Sequence, residues 1–129
     1  MRPISQEWID KAEGNWHGAQ QMYQRRKHSD YSSVCFQTHE CAQKYLKARL
    51  VEKEITFVKT ADDLPRLLKL AAQREPQWSS LQQQTESLSP YTIDYLYPGK
   101  SATRAEAKQA IKDCREIRQA VRTAFGLPV

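Results

Sequence analysis

The sequence predicts an all-α fold, an up-and-down antiparallel bundle of about five helices. Three observations carry that expectation. Residues 31 to 50, YSSVCFQTHECAQKYLKARL, spread Tyr31, Val34, Cys35, Cys41, Ala42, Tyr45, Leu46, Ala48 and Leu50 over roughly half a helical circle or more, an arc that only neighbouring helices can bury. Elsewhere apolar residues recur at three and four positions between capping residues. The 129 residues include only 4 glycines, with 40% apolar and 27% charged side chains, a composition that suits a helical globule better than a turn-rich β fold. A chain of this length buries a core without metal or disulfide support, so residues 1–129 read as one domain.

Helix one is expected to begin after Pro3, with Ser5 as N-cap and Glu7 and Asp10 near its positive end. Trp8, Ala12, Trp16, Ala19 and Tyr23 form its apolar stripe, with Ile9 and Met22 at the margins. The tryptophans read as packing anchors, the alternative being a platform for nucleobases. Arg25, Arg26, Lys27 and His28 are expected to close the helix as C-terminal cations. Ser29 or Asp30 caps the central helix, which runs to about Lys53. Its polar residues Gln37, Glu40, Gln43, Lys44 and Lys47 are spaced to share one outward side, where a partner would read them. Thr38 and His39 read as structural, since His17 and His28 lie elsewhere and make no H-x-x-x-H pair for a metal.

Residues 54 to 61 read as an ordered loop that lays Ile55 and Phe57 over the bundle. Asp62 or Asp63 caps helix three, whose buried side is Leu64, Leu67, Leu68 and Ala71 and which Pro76 ends. Trp78, Leu81, Thr85 and Leu88 mark a fourth helix. The segment Ser89 to Lys100 holds Tyr91, Tyr95 and Tyr97 between two prolines and reads either as a binding loop or as a lid over the bundle end. The T-x-x-E box of Thr103 and Glu106 opens helix five, and Gly126 and Pro128 stop it. Opposite its stripe of Ala107, Ala110, Cys114, Ile117, Val121 and Ala124 runs a cationic row of Arg104, Lys108, Lys112, Arg115, Arg118 and Arg122. Such a row is either a solvated face or, with Ile111 projecting from within it, the charged rim of an interface.

A net charge of +5 favours an acidic partner but falls well short of a nucleic-acid tail. Cys35, Cys41 and Cys114 form no C-x-x-C pair, and the absence of a signal-like segment or a long apolar run leads to the expectation of a cytoplasmic protein with reduced thiols and no membrane contact. No phosphate-cradling loop, nucleophile elbow or zinc set is present, so neither a cofactor nor a metal is expected.

Four landmarks carry a family resemblance. Residues His39 to Ala48, H-E-C-A-Q-K-Y-L-K-A, resemble the second-helix signature of HEPN domains, Q-Q-A-A-E-K-x-L-K-A, with Glu40 and Gln43 exchanged. In the right order and at similar distances come Trp8 to Asn15, W-I-D-K-A-E-G-N, then Asp62-Asp63-Leu64-x-x-Leu67-Leu68, which resembles H-D-L-x-x-L-L, and Tyr95 to Gly99, Y-L-Y-P-G, which resembles R-Y-P-G. The resemblance spans nearly the whole chain and implies an HEPN-like bundle, a homodimer, and a minimal nucleotidyltransferase as partner in a toxin-antitoxin-like pair.

Many members of that family are ribonucleases with an R-x(4-6)-H motif. None of His17, His28 or His39 has an arginine five to seven positions before it, and Leu96 stands where the family often has arginine. The expectation is therefore a non-catalytic nucleotide- or partner-binding module that uses Gln37, Glu40, Gln43, Lys44 and Lys47 with Tyr91, Tyr95 and Tyr97. The alternatives are a divergent ribonuclease toxin built on His39, Glu40 and Lys44, and a basic RNA-binding protein that uses Arg104, Lys108, Ile111, Lys112 and Arg115.

Overall fold

The computed structural model describes all residues from Met1 to Val129, with five α-helices and no strand. They are α1 (Pro3–Tyr23), α2 (Tyr31–Glu52), α3 (Leu64–Ala72), α4 (Gln82–Leu88) and α5 (Arg104–Ala124), with 3-10 turns at Pro76–Leu81 and Ile93–Leu96.

Local chemistry sets most boundaries. Asp30 caps α2 by accepting from the Ser33 backbone N–H at 3.0 Å and the Ser33 hydroxyl at 2.7 Å, and Asp63 caps α3 through the Arg66 N–H at 3.2 Å. The α5 capping box is complete: Thr103 Oγ1 accepts from Glu106 N at 3.1 Å while Thr103 N donates to Glu106 Oε1 at 2.9 Å. At its other end Gly126, at φ 71°, allows Leu127 N to reach Arg122 O at 2.9 Å and Gly126 N to reach Thr123 O at 3.0 Å, a Schellman closure. Thr103→Ala should cost about 1 kcal/mol, read as a lowered denaturation midpoint with unchanged helix content.

Three boundaries differ from expectation. Helix α1 starts at Pro3, because the fixed φ of proline is already helical, so Ser5 lies inside the first turn and fully buried instead of capping it. It ends at Tyr23, so Arg25, Arg26, Lys27 and His28 sit in an exposed turn where His28 takes a φ of 56°, and none of them belongs to the last helical turn. Pro76 likewise opens a 3-10 turn, after α3 has already ended at Ala72.

The contacts fix the direction of each helix. Asn15 meets Gln37 and Arg2 meets Glu52, so α1 and α2 are antiparallel. The Glu13–Arg118 pair and the Tyr23–Arg104 contact run α1 antiparallel to α5, while Ser32 beside Ala102 and Tyr45 beside Arg122 make α2 and α5 parallel. Gln84 on α4 bonds Glu116 on α5, and α3 packs between α2, α4 and the first 3-10 turn. Of the three long helices, α1 therefore runs against α2 and α5, which point the same way. Helix α2 is the spine, with 13 of its 22 residues buried, and 26 apolar residues from all five helices, the first 3-10 turn and Tyr91 form one core that includes its apolar side. Ile9 is buried where Trp8 is only half-buried, because Trp8 packs edge-on against Phe57 at 6.4 Å beneath the loop of residues 54 to 61.

Candidate functional site

The outward side of α2 is narrower than its sequence suggests. Gln37, Glu40 and Lys44 keep partial solvent contact. Asn15 of α1 ties them together: its Nδ2 donates to Gln37 Oε1 at 2.5 Å and its Oδ1 accepts from Lys44 Nζ at 2.6 Å, while Lys44 and Glu40 stand 4.0 Å apart. These groups form a polar strip along the α1–α2 seam.

Gln43 and Lys47 do not belong to it, which corrects their expected outward placement. Lys47 is 1% exposed. Its ammonium donates to Gln43 Oε1 at 2.8 Å and to the Lys59 carbonyl at 2.7 Å and lies 5.6 Å from the Trp8 ring centroid. Burial depresses its pKa, against the pull of Glu40 and Asp62. The cause is tertiary: the loop of residues 54 to 61 folds back over that side of α2 and supplies the carbonyl.

The tyrosine segment is not joined to the strip. Tyr91 is buried on the α5 side of α2, near Cys35 and Glu106, and burial drives its phenol pKa upward, so it is a packing residue and not the surface group the sequence suggested. Its ring meets Tyr95 edge-on at 5.0 Å. Tyr97 is 61% exposed, and Ile93 and Leu96 are exposed beside it. The segment is therefore a lid at Tyr91 and an open apolar surface at Tyr97.

The cations of α5 divide. Arg104, Lys108, Lys112 and Arg115 are exposed, as the row requires. Arg118 and Arg122 turn inward to Glu13. Arg118 Nε and Nη2 donate to the two Glu13 oxygens at 2.8 and 2.7 Å, Tyr45 donates its hydroxyl to Glu13 Oε2 at 2.5 Å, and Arg122 Nη1 donates to Tyr45 Oη at 3.1 Å. Burial pushes the Glu13 carboxyl up, but hydrogen bonds from Arg118 and Tyr45 and the charges of Arg118 and Arg122 outweigh it and bring the pKa to about 2. Ile111 is also corrected: at 8% exposure it does not project from the row but forms part of the floor of a groove of about 600 Å³ between α1 and α5.

Nothing in the chain groups three histidine, cysteine, aspartate or glutamate side chains to hold a metal ion. All three cysteines are buried, and burial raises the Cys35 thiol to about 12 and the Cys41 thiol well above its ordinary range, so neither of these two is a thiolate near neutral pH. His39 is 1% exposed and its ring nitrogens lack hydrogen-bond partners, the nearest charge being Glu40 at 3.6 Å from Nδ1. His17 and His28 are on the surface. Spacing alone could not reveal the Glu13–Arg118–Tyr45 cluster, although an acid on the margin of one stripe and arginines on the margin of another were its available signal.

Five helices with α2 as the buried spine, a polar strip along the α1–α2 seam and exposed cations on α5 define a small all-helical domain. The HEPN domain model matches residues 5–124, and the chain belongs to that family. Its fold is also similar to the crystal structure of an archaeal HEPN homologue, at a TM-score of 0.73 and 22% identity over 96% of this chain and 98% of that one. No curated protein matches the chain in sequence. No helix is long and apolar enough to cross a membrane.

Proposed function

We propose that this HEPN domain is a non-catalytic binding module that acts as a homodimer and as the partner of a small nucleotidyltransferase in a toxin-antitoxin-like pair, with a nucleotide or RNA as the other candidate ligand. The observation that carries the reading is the state of His39. It is the one histidine on the signature helix, and at 1% exposure it can neither take a proton from a 2'-hydroxyl nor deliver one to a leaving group. The groups left at the surface suit recognition. Gln37 and Lys44, held by Asn15, and Glu40 beside Lys44 offer donors and acceptors that are partly ordered already, which lowers the cost of ordering them on binding. Tyr97, with Ile93 and Leu96, offers a second, apolar contact.

The test is co-expression of the tagged chain with a minimal nucleotidyltransferase, followed by native co-purification and calorimetry. Lys44→Glu should weaken the complex at least tenfold by placing a carboxylate next to Glu40 and Asn15, and Tyr97→Ala should weaken it severalfold, both with unchanged circular dichroism. A complex that neither substitution alters would contradict these surfaces, and failure to bind either the transferase or nucleotide would contradict the module itself.

A further inference from the structure

We propose that the groove between the end of α1 and the start of α5 is a docking site for an acidic amphipathic helix of a protein partner. The inference rests on the reading of this chain as a binding module but concerns a different face from the α1–α2 seam. The groove, about 600 Å³, has a floor of Ile111, Ala105 and the half-buried Tyr23. Arg104, Lys108, Lys112 and Arg115 run along one side, a span of about 16 Å at 1.5 Å per residue, or three helical turns. Arg25, Arg26 and Lys27 extend the same charge beyond the end of α1.

None of these seven cations forms an ion pair. The ion pairs of the molecule use Arg2, Lys44, Arg49, Arg118 and Arg122 instead. The acids nearest in sequence are engaged elsewhere: Glu106 in the capping box, Asp113 with Gln109 and Glu116 with Gln84. Those hydrogen bonds leave the three carboxylates charged, so seven cations against three acids give the face a net positive field around the trough.

The chemistry of the trough selects a helix over a nucleic acid. Sequence-tolerant binding of single strands relies on open aromatic faces for the bases. Here the Tyr23 ring is packed against Tyr31 at 6.2 Å and carries the Arg104 guanidinium at 5.7 Å, and the Trp16 ring carries Arg115 at 5.6 Å and Arg118 at 5.3 Å. What remains open is the aliphatic pair Ile111 and Ala105 among Gln20, Gln24 and Gln109, beside point charges repeating every three or four residues. Leucines on one face of a helix fill that floor, and glutamates on its flanks meet the row.

The experiment measures fluorescence anisotropy of the intact chain with three labelled probes: an 18-residue peptide with leucines on one helical face and glutamates flanking them, the same residues shuffled so that no face forms, and a 12-nucleotide oligouridylate. The amphipathic peptide should bind at least tenfold more tightly than either of the others. The double variant Lys108→Glu, Lys112→Glu should weaken it at least tenfold. Ala105→Trp, which fills the trough at an exposed position without changing charge, should also weaken it about tenfold. Equal binding of the shuffled peptide, tighter binding of the oligouridylate, or indifference to Ala105→Trp would each overturn the proposal. Because these substitutions lie away from Lys44 and Tyr97, binding of the nucleotidyltransferase can survive when the groove proposal fails.

Discussion

Replacing Glu13 with alanine should lower stability by about 3 kcal/mol, the near end of the range for removing one partner from a largely buried ion pair, because the Arg118 guanidinium then stays inside with no counter-charge. The effect is large because one carboxylate joins three helices: Arg118 and Arg122 reach it from α5, and Tyr45 reaches it from α2. The same cluster gives stability a pH dependence. The Glu13 carboxyl titrates at about 2 in the folded chain, below the ordinary 4.5, so its contribution is fully present above 4.5 and is lost as pH falls from there toward 2. Urea denaturation of the wild type and Glu13→Gln should therefore give midpoints well separated at pH 6 that converge as pH approaches 2. Midpoints that stay separated by a constant amount would show that Glu13 is not held as a paired carboxylate.

The second large effect concerns Lys47. A lysine on an exposed helix face can be truncated within about 0.5 kcal/mol, whereas truncating a sealed long side chain leaves a cavity and costs about 2 to 5 kcal/mol. With 1% exposure, Lys47→Ala should fall in the second range. Lys47→Met keeps the volume and should cost about 1 to 2 kcal/mol, the loss arising where Gln43 Oε1 and the Lys59 carbonyl lose their donor. Thermal unfolding of the two variants separates these cases, and two near-neutral substitutions would return Lys47 to the surface.

The fold was legible because its signals are local. Asp30, Asp63 and the Thr103–Glu106 box mark helix starts by chemistry that acts within one turn, and the stripes of α3 and α5 are regular enough to orient those helices. The HEPN landmarks gave the family for a related reason: they lie on the elements whose order defines the bundle. The site was less legible because its determinants are long-range. Helical spacing put Lys47 on the same side as Lys44, yet the loop of residues 54 to 61 covers one and leaves the other. Spacing also put Arg118 in line with Arg115, yet Glu13, 105 residues away, draws Arg118 inward. Ile111 lies between those outcomes, framed by cations as its position implied but sunk to the floor of a groove that exists only once α1 packs beside α5.

The measurement that bears most directly on a binding role is RNA turnover by the purified chain. Micromolar protein incubated for hours with a labelled single-stranded RNA should release no more product than buffer, and His39→Ala should leave that baseline unchanged. Cleavage well above buffer that disappears in a folded His39→Ala variant would mean that the histidine beneath the bundle surface reaches substrate, and the chain would then be a nuclease.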